Sequence, residues 1–65
     1  MEIERVLASI GCQGGRFEFD TDDNEFEIEN TVCADGKRHE VDLDLSFKIV
    51  GERPVTAEEL ANFVV

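Results

Sequence analysis

Arg16-Phe17-Glu18-Phe19-Asp20-Thr21-Asp22-Asp23-Asn24-Glu25-Phe26-Glu27-Ile28-Glu29 decides the architecture of this chain. Apolar and charged residues alternate with a period of two on either side of a polar cluster, the pattern of two half-buried strands joined by a turn. A turn at Asp22-Asp23 brings Phe19 opposite Phe26 and Phe17 opposite Ile28, apolar against apolar. It also sets Glu18 against Glu27, Asp20 against Glu25 and Arg16 against Glu29. One face of this hairpin is therefore apolar and the other almost wholly carboxylate.

Working outward, the alternation runs on to Val32 and resumes from Glu40 to Ile49. Asp35-Gly36 between them is a strong two-residue hairpin signal. Pairing Ala34 with Lys37 across that turn places Ile28 opposite Leu43, Phe26 opposite Leu45, Glu29 opposite Asp42, Glu27 opposite Asp44 and Val32 opposite His39. The apolar face then holds Phe17, Phe19, Phe26, Ile28, Val41, Leu43, Leu45 and Phe47. The other face holds Glu18, Asp20, Glu25, Glu27, Glu29, Glu40, Asp42 and Asp44.

Two helices flank these strands. Ile3, Val6, Leu7 and Ile10 fall at i, i+3, i+4 and i+7, one apolar stripe over Glu2–Ile10, and Gly11 supplies a stop. At the other end Thr56 and Glu59 form a capping box, with Val55 and Leu60 spaced for a hydrophobic staple. Leu60, Phe63 and Val64 give that helix its apolar side, while Pro54 closes the loop Gly51-Glu52-Arg53. Each helix has one apolar stripe and the sheet has one apolar face. The expected fold is α+β, a two-layer α-β-β-β-α domain over residues 1–65, a three-stranded antiparallel meander with both helices on one face.

The order of helix, three-stranded meander and helix resembles the topology of double-stranded RNA-binding domains, over the whole chain. Those domains grip phosphates with a lysine cluster at the start of the last helix. Here that stretch reads Thr56-Ala57-Glu58-Glu59, so RNA binding does not carry over with the topology.

Sixty-five residues allow one core only, and a domain of that size buries about 60% of the surface its unfolded chain exposes. Sixteen acidic against six basic side chains leave a net charge of −10, which disfavours polyanionic partners and direct contact with nucleic acid. No basic region leads into an apolar run at the N-terminus, and nothing approaches the roughly 18 apolar residues of a membrane span. A soluble, cytoplasmic protein with no membrane contact is expected, with Cys12 and Cys33 reduced.

Half-exposed antiparallel sheets always have a polar face, but one of mixed sign is the locally favoured kind. A face of uniform sign costs stability and so calls for a reason. Strands lie about 4.8 Å apart and same-face neighbours about 6.7 Å apart, so the carboxylates form rows that could occupy a groove built for nucleic-acid phosphates. The expected partner is a basic, nucleic-acid-binding protein, and the expected role is a non-enzymatic nucleic-acid mimic that inhibits or regulates it. Small acidic mimics of this type are often carried by phages or mobile elements. The alternative is a structural or interaction module that binds through its helices, with the apolar end Asn62-Phe63-Val64-Val65 completed by a partner or a second copy.

Other chemistry is poorly supplied. Gly11, Gly14 and Gly15 precede a strand, so no helix N-terminus follows to hold phosphate. Asp20-Thr21-Asp22-Asp23-Asn24 resembles the opening of a calcium-binding EF-hand loop, but Glu25 stands where that family needs glycine and Thr31 where it needs a bidentate glutamate. His39 is the lone histidine, and no base and orienting group accompany either cysteine. No catalytic residue, metal site or cofactor is expected.

Overall fold

A computed structural model describes residues 1–64, the side chains of Leu60, Asn62, Phe63 and Val64 excepted. Helix α1 spans Glu2–Ser9. Strands follow at β1 Cys12–Gln13, β2 Arg16–Asp20, β3 Glu25–Cys33, β4 Arg38–Leu43 and β5 Ile49–Pro54, and helix α2 spans Ala57–Val64. All strand pairs are antiparallel, so the molecule is α+β: one antiparallel sheet and two short helices. No helix among the described residues is long and apolar enough to cross a membrane.

The β2–β3 hairpin has the expected register at every pair from Arg16↔Glu29 to Asp20↔Glu25. Its turn is built locally: the Asp20 carboxylate accepts from the amides of Asp22, at 2.9 Å, and Asp23, at 3.4 Å. Strands β1 and β2 flank the same edge of β3 in one continuous register, Cys12↔Cys33 and Gln13↔Val32 preceding Arg16↔Glu29. They are one strand interrupted at Gly14-Gly15. Gly15 sits at φ +105°, and a Cβ there would lie 2.7 Å from the carbonyl oxygen of Glu29, so no larger residue fits.

The β3–β4 register differs from expectation in two steps. The turn is a three-residue loop, Ala34-Asp35-Gly36, closed by Gly36 N–H to Cys33 O at 2.9 Å and Cys33 N–H to Lys37 O at 3.0 Å, with Gly36 at φ +78°. That moves Val32 from His39 to Arg38 and places Thr31 opposite His39. A bulge then sets Glu29 and Asn30 against Glu40, with Asn30 at φ +57°. Beyond it Ile28 faces Val41, Phe26 faces Leu43 and Glu27 faces Asp42, in place of Leu43, Leu45 and Asp44. The two single-residue changes add to a shift of two, which preserves the faces of β4 while changing its partners. On β3 the bulge inverts the alternation, so Val32 points outward and Thr31 is fully buried, its hydroxyl donating to Gln13 O at 3.1 Å.

The expected third strand, Glu40–Ile49, is in fact two. It ends at Leu43, turns through Asp44 to Lys48, and returns as β5, where a loop was expected at Gly51-Glu52-Arg53. Leu45 and Phe47, expected on the strand, belong to this turn; Leu45 is exposed, and Phe47 reaches back to stack on Phe26 with ring centroids 5.3 Å apart.

The core is Ile3 and Leu7 from α1 with Cys12, Ile28, Val41 and Leu43, flanked by Val6, Phe26, Cys33 and Phe47. Leu7, Ile28, Val41 and Leu43 are fully buried, each contributing about 1.5–3 kcal/mol. Ile10 falls past the helix end and is 39% exposed, so the expected stripe is one residue shorter. Phe17 and Phe19 keep the apolar side of β2 but are 38% and 45% exposed, beyond the reach of α1. Cys12 and Cys33, expected reduced, are directly opposed across β1 and β3 with Cα atoms 3.9 Å apart and are joined as a disulfide.

The capping box on α2 is present: Glu59 N–H donates to the Thr56 hydroxyl at 3.2 Å, and Thr56 N–H donates back to Glu59 at 3.4 Å. Arg53 adds a bidentate pair to Glu59, both contacts at 2.8 Å. That guanidinium and the Thr56 amide hold the Glu59 carboxyl down at about 2. The packing expected of Leu60, Phe63 and Val64, the staple to Leu60 and the apolar end at residues 62–65 lie outside the described residues.

Candidate functional site

Alternation along β2, along β3 as far as the bulge, and along β4 delivers the carboxylates to the side of the sheet away from α1. Glu18 pairs with Glu27, Glu27 with Asp42 and Asp42 with Gly51, so three acidic residues on three adjacent strands form one row. Asp42 replaces the Asp44 expected at the end of this row. All three are half-buried by their neighbours. Glycine at position 51 is what leaves Asp42 room, because a Cβ there would lie 3.1 Å from Asp42 Oδ2. Asp42 Oδ1 is buried without a hydrogen-bond partner.

A second row crosses at the bulge, where Arg16 faces Glu29, Glu29 and Asn30 face Glu40, and Glu40 faces Arg53. Cations close both of its ends. Arg16 turns to Glu18 at 2.7 Å, and Arg53 reaches Glu40 at 3.5 Å as well as Glu59. Beyond the first row, Glu25 lies on the face at the Asp20 end of the hairpin.

Crowding shows in the proton affinities. Desolvation raises Glu27, and Asp20 and Asp42 push it further; desolvation and then Asp42 raise Glu25. Glu29 is raised by desolvation and by Glu18, against the opposing pull of Arg16. These carboxylates hold protons more tightly than free ones, so the face favours cations and any group that brings positive charge to it.

Two of the eight expected residues do other work. Asp44 is not on the sheet face; its Oδ1 accepts from the amides of Ser46 and Lys48, both at 2.9 Å, and shapes the β4–β5 turn. Asp20 stays at the strand end with its carboxylate committed to its own turn. Glu18, Glu25, Glu27, Glu29, Glu40 and Asp42 remain together. No group of three or more His, Cys, Asp or Glu side chains among the described residues is arranged to hold a metal ion.

A second charged cluster, not legible from the residues alone, surrounds His39. His39 donates through Nε2 to Asp35 at 2.9 Å and binds Glu52 through Nδ1. Both carboxylates raise its affinity for a proton, Asp35 more than Glu52, and Asp35 is lowered by the Lys37 amide and by His39. A shallow pocket of about 270 Å³ places this triad beside Cys12 and Cys33. Carboxylates at both nitrogens favour the protonated imidazole, which has no free lone pair for a base. Glu52 escaped notice because Gly51 and Pro54 made β5 read as a loop; Arg53, which ties β5 to Glu40 and α2, escaped with it.

Comparisons with protein-family models, with curated proteins and with solved structures returned no match.

Proposed function

We propose that this domain is a non-enzymatic acidic binding module that occupies the basic surface of a nucleic-acid-handling protein. The observation that supports this most is the row Glu18–Glu27–Asp42, three carboxylates on adjacent strands with no cation between them. Directly opposed like charges count against stability by roughly 0.2–1 kcal/mol per pair. Arg16 relieves Glu18 at one end of the row, but Glu27 and Asp42 have no ion-pair partner among the described residues, so their contact is retained at a cost that an external cation would relieve. Repeated negative charge at strand spacing complements arginines and lysines set to read a phosphate backbone. The proposal requires both helices to leave this face open.

The test uses three substitutions together, Glu18→Gln, Glu27→Gln and Asp42→Asn. The variant is expected to be more stable than wild type by about 1 kcal/mol, and to lose a partner that wild type retains from lysate, identified by mass spectrometry as nucleic-acid-binding and displaced by duplex DNA or RNA. Equal retention by both proteins rules out the acidic row as the interface. A destabilised variant argues against its electrostatics.

A second mode of binding has its own observation: Phe17, Phe19 and Leu45 are 38%, 45% and 59% exposed. Binding through this apolar end survives about 0.5 M salt, whereas binding through the carboxylates is screened there. Location belongs to the same proposal. A target of this kind places the domain in the cytoplasm, where thiols are kept reduced, so alkylation in acid-quenched cells should find Cys12 and Cys33 open in a measurable fraction. A fully joined pair counts against that compartment.

A further inference from the structure

Strand β2 is an open edge. It pairs with β3 on one side, and no strand among the described residues pairs with the other. Sheets commonly blunt such an edge with proline or a bulge. The opposite edge, β5, ends in Pro54 and carries a register shift where it meets β4. β2 has neither, and its five residues pair with β3 without a shift. Its row of unused backbone donors and acceptors is a template for one more strand.

The two sides of that edge define what the added strand carries. On the α1 side, Phe17 and Phe19 are 38% and 45% exposed, and Phe19 already leans on Phe26 with ring centroids 5.1 Å apart. Apolar residues set opposite them would cover surface that α1 does not reach. On the other side stand Glu18 and Asp20, each facing another acidic residue on β3. Arg16 engages only Oε1 of Glu18, and an exposed ion pair of this kind contributes little. Both turn amides take Oδ1 of Asp20, which leaves Oδ2. A cation facing each of these carboxylates supplies the opposite-charge cross-strand pair that β3 does not. A second copy of the chain fits less well. Self-pairing about Glu18 gains Arg16 against Asp20 at each end, but it opposes Glu18 to Glu18 and brings together two domains of net charge −10.

We propose that β2 captures an extended segment of a partner protein as an added strand, antiparallel like every other pair in the sheet. The segment reads basic-apolar-basic-apolar opposite Asp20, Phe19, Glu18 and Phe17. This rests on the reading of the domain as an acidic binding module and names the form its partner takes. Backbone pairing at the edge holds the strand, and its basic residues extend the row Glu18–Glu27–Asp42 with a cation on a fourth strand. Arg16 ends the site, since it repels a further basic residue.

The test is titration of the isotope-labelled domain with a peptide of alternating lysine and valine, followed by backbone amide NMR. Expected are saturable shifts centred on residues 17–20 and their β3 partners 25–28, with β5 unmoved. Binding should be lost when one alternate set of peptide amides is N-methylated and kept when the other is. It should also be lost when the same residues are regrouped as a block of lysines and a block of valines. Phe19→Thr and Glu18→Gln should each weaken binding by up to about five-fold, the worth of one cross-strand pair; threonine suits a strand, so β2 is kept. Equal effects of the two methylated sets, or equal binding of the block peptide with shifts spread over Glu40 and Asp42, overturn the edge and leave the acidic module standing. Capture undiminished by Glu18→Gln sinks both. Protection of the 17–20 amides that rises with concentration of the free domain would make a second copy the occupant and overturns the proposal, as does the absence of saturable binding by the alternating peptide.

Discussion

The loops that follow β3 and β4 have the same backbone and opposite chemistry. In both, the first residue accepts from the fourth and donates to the fifth: Cys33 with Gly36 and Lys37, Asp44 with Phe47 and Lys48, all at 2.9–3.0 Å. In both, the fourth residue adopts the left-handed conformation, Gly36 at φ +78° and Phe47 at φ +64°. Glycine takes that conformation freely, while a bulky residue does so at a cost of about 1–2 kcal/mol. The first loop is thus specified by its own residues. The second holds because Phe47 stacks on Phe26 in a near-parallel pair, at 14°, and because Asp44 ties down two amides of its own loop. One turn is local and the other is imposed by the core it closes.

The sharpest way to break this contrast is at Phe47. Phe47→Ala keeps the backbone strain and loses the packing, and should cost about 2–3 kcal/mol, below the range for a fully buried phenylalanine because the site is half-buried. Phe47→Gly loses the same packing but relieves the strain, so it should be more stable than the alanine variant by about 1 kcal/mol. Urea unfolding measures both, and the reverse order would show that position 47 bears no strain. The mirror experiment is Gly36→Ala. Nothing lies within 4 Å of a Cβ there, so its loss of about 1–2 kcal/mol would be purely conformational; a smaller loss would mean the first loop relaxes where the second cannot.

The smallest effect separates the loops by pH. His39 holds Asp35 of the first loop, and its raised proton affinity means its stabilisation is full below the unfolded imidazole value of about 6.5 and is lost as pH rises through the higher folded value. Asp35 runs the other way: its lowered carboxyl stabilises above an unfolded value of about 3.9 and fails as pH falls through the folded one. The raised carboxyls of Glu25, Glu27 and Glu29 share the sign of His39 but act at lower pH, so the domain should gain stability as pH drops from 8 towards about 5. His39→Gln should flatten the part of that gain that lies nearer neutral pH and leave the acidic part. A curve unchanged by the substitution would dismiss the imidazole bridge.

The same contrast explains what could be read from the residues. Arg16 to Glu29 was legible because alternation and turn chemistry agree, and every pair there is as expected. Thr56 and Glu59 were legible because a capping box is written within four residues. The β4–β5 turn was not, since Leu45 and Phe47 continue the alternation of a strand and no glycine marks the left-handed position. Asn30 was equally silent: a bulge depends on two strands at once, and nothing near position 30 records that Glu40 would have to face a pair of residues. The candidate face survived these misses because a shift of two leaves a strand's sides unchanged. Asp44, beyond the true end of β4, was lost from it, and Asp20 spends its carboxylate on its own turn.

Cys12 and Cys33 stand 21 residues apart in sequence, and the whole β2–β3 hairpin with its exposed Thr21–Asn24 tip lies between them. Their bond closes that hairpin into a covalent ring, worth about 3 kcal/mol of restricted freedom in the unfolded chain. A protease that cuts the tip would therefore open a ring and release nothing: both pieces would still migrate as one molecule, and would part only when a reductant is added.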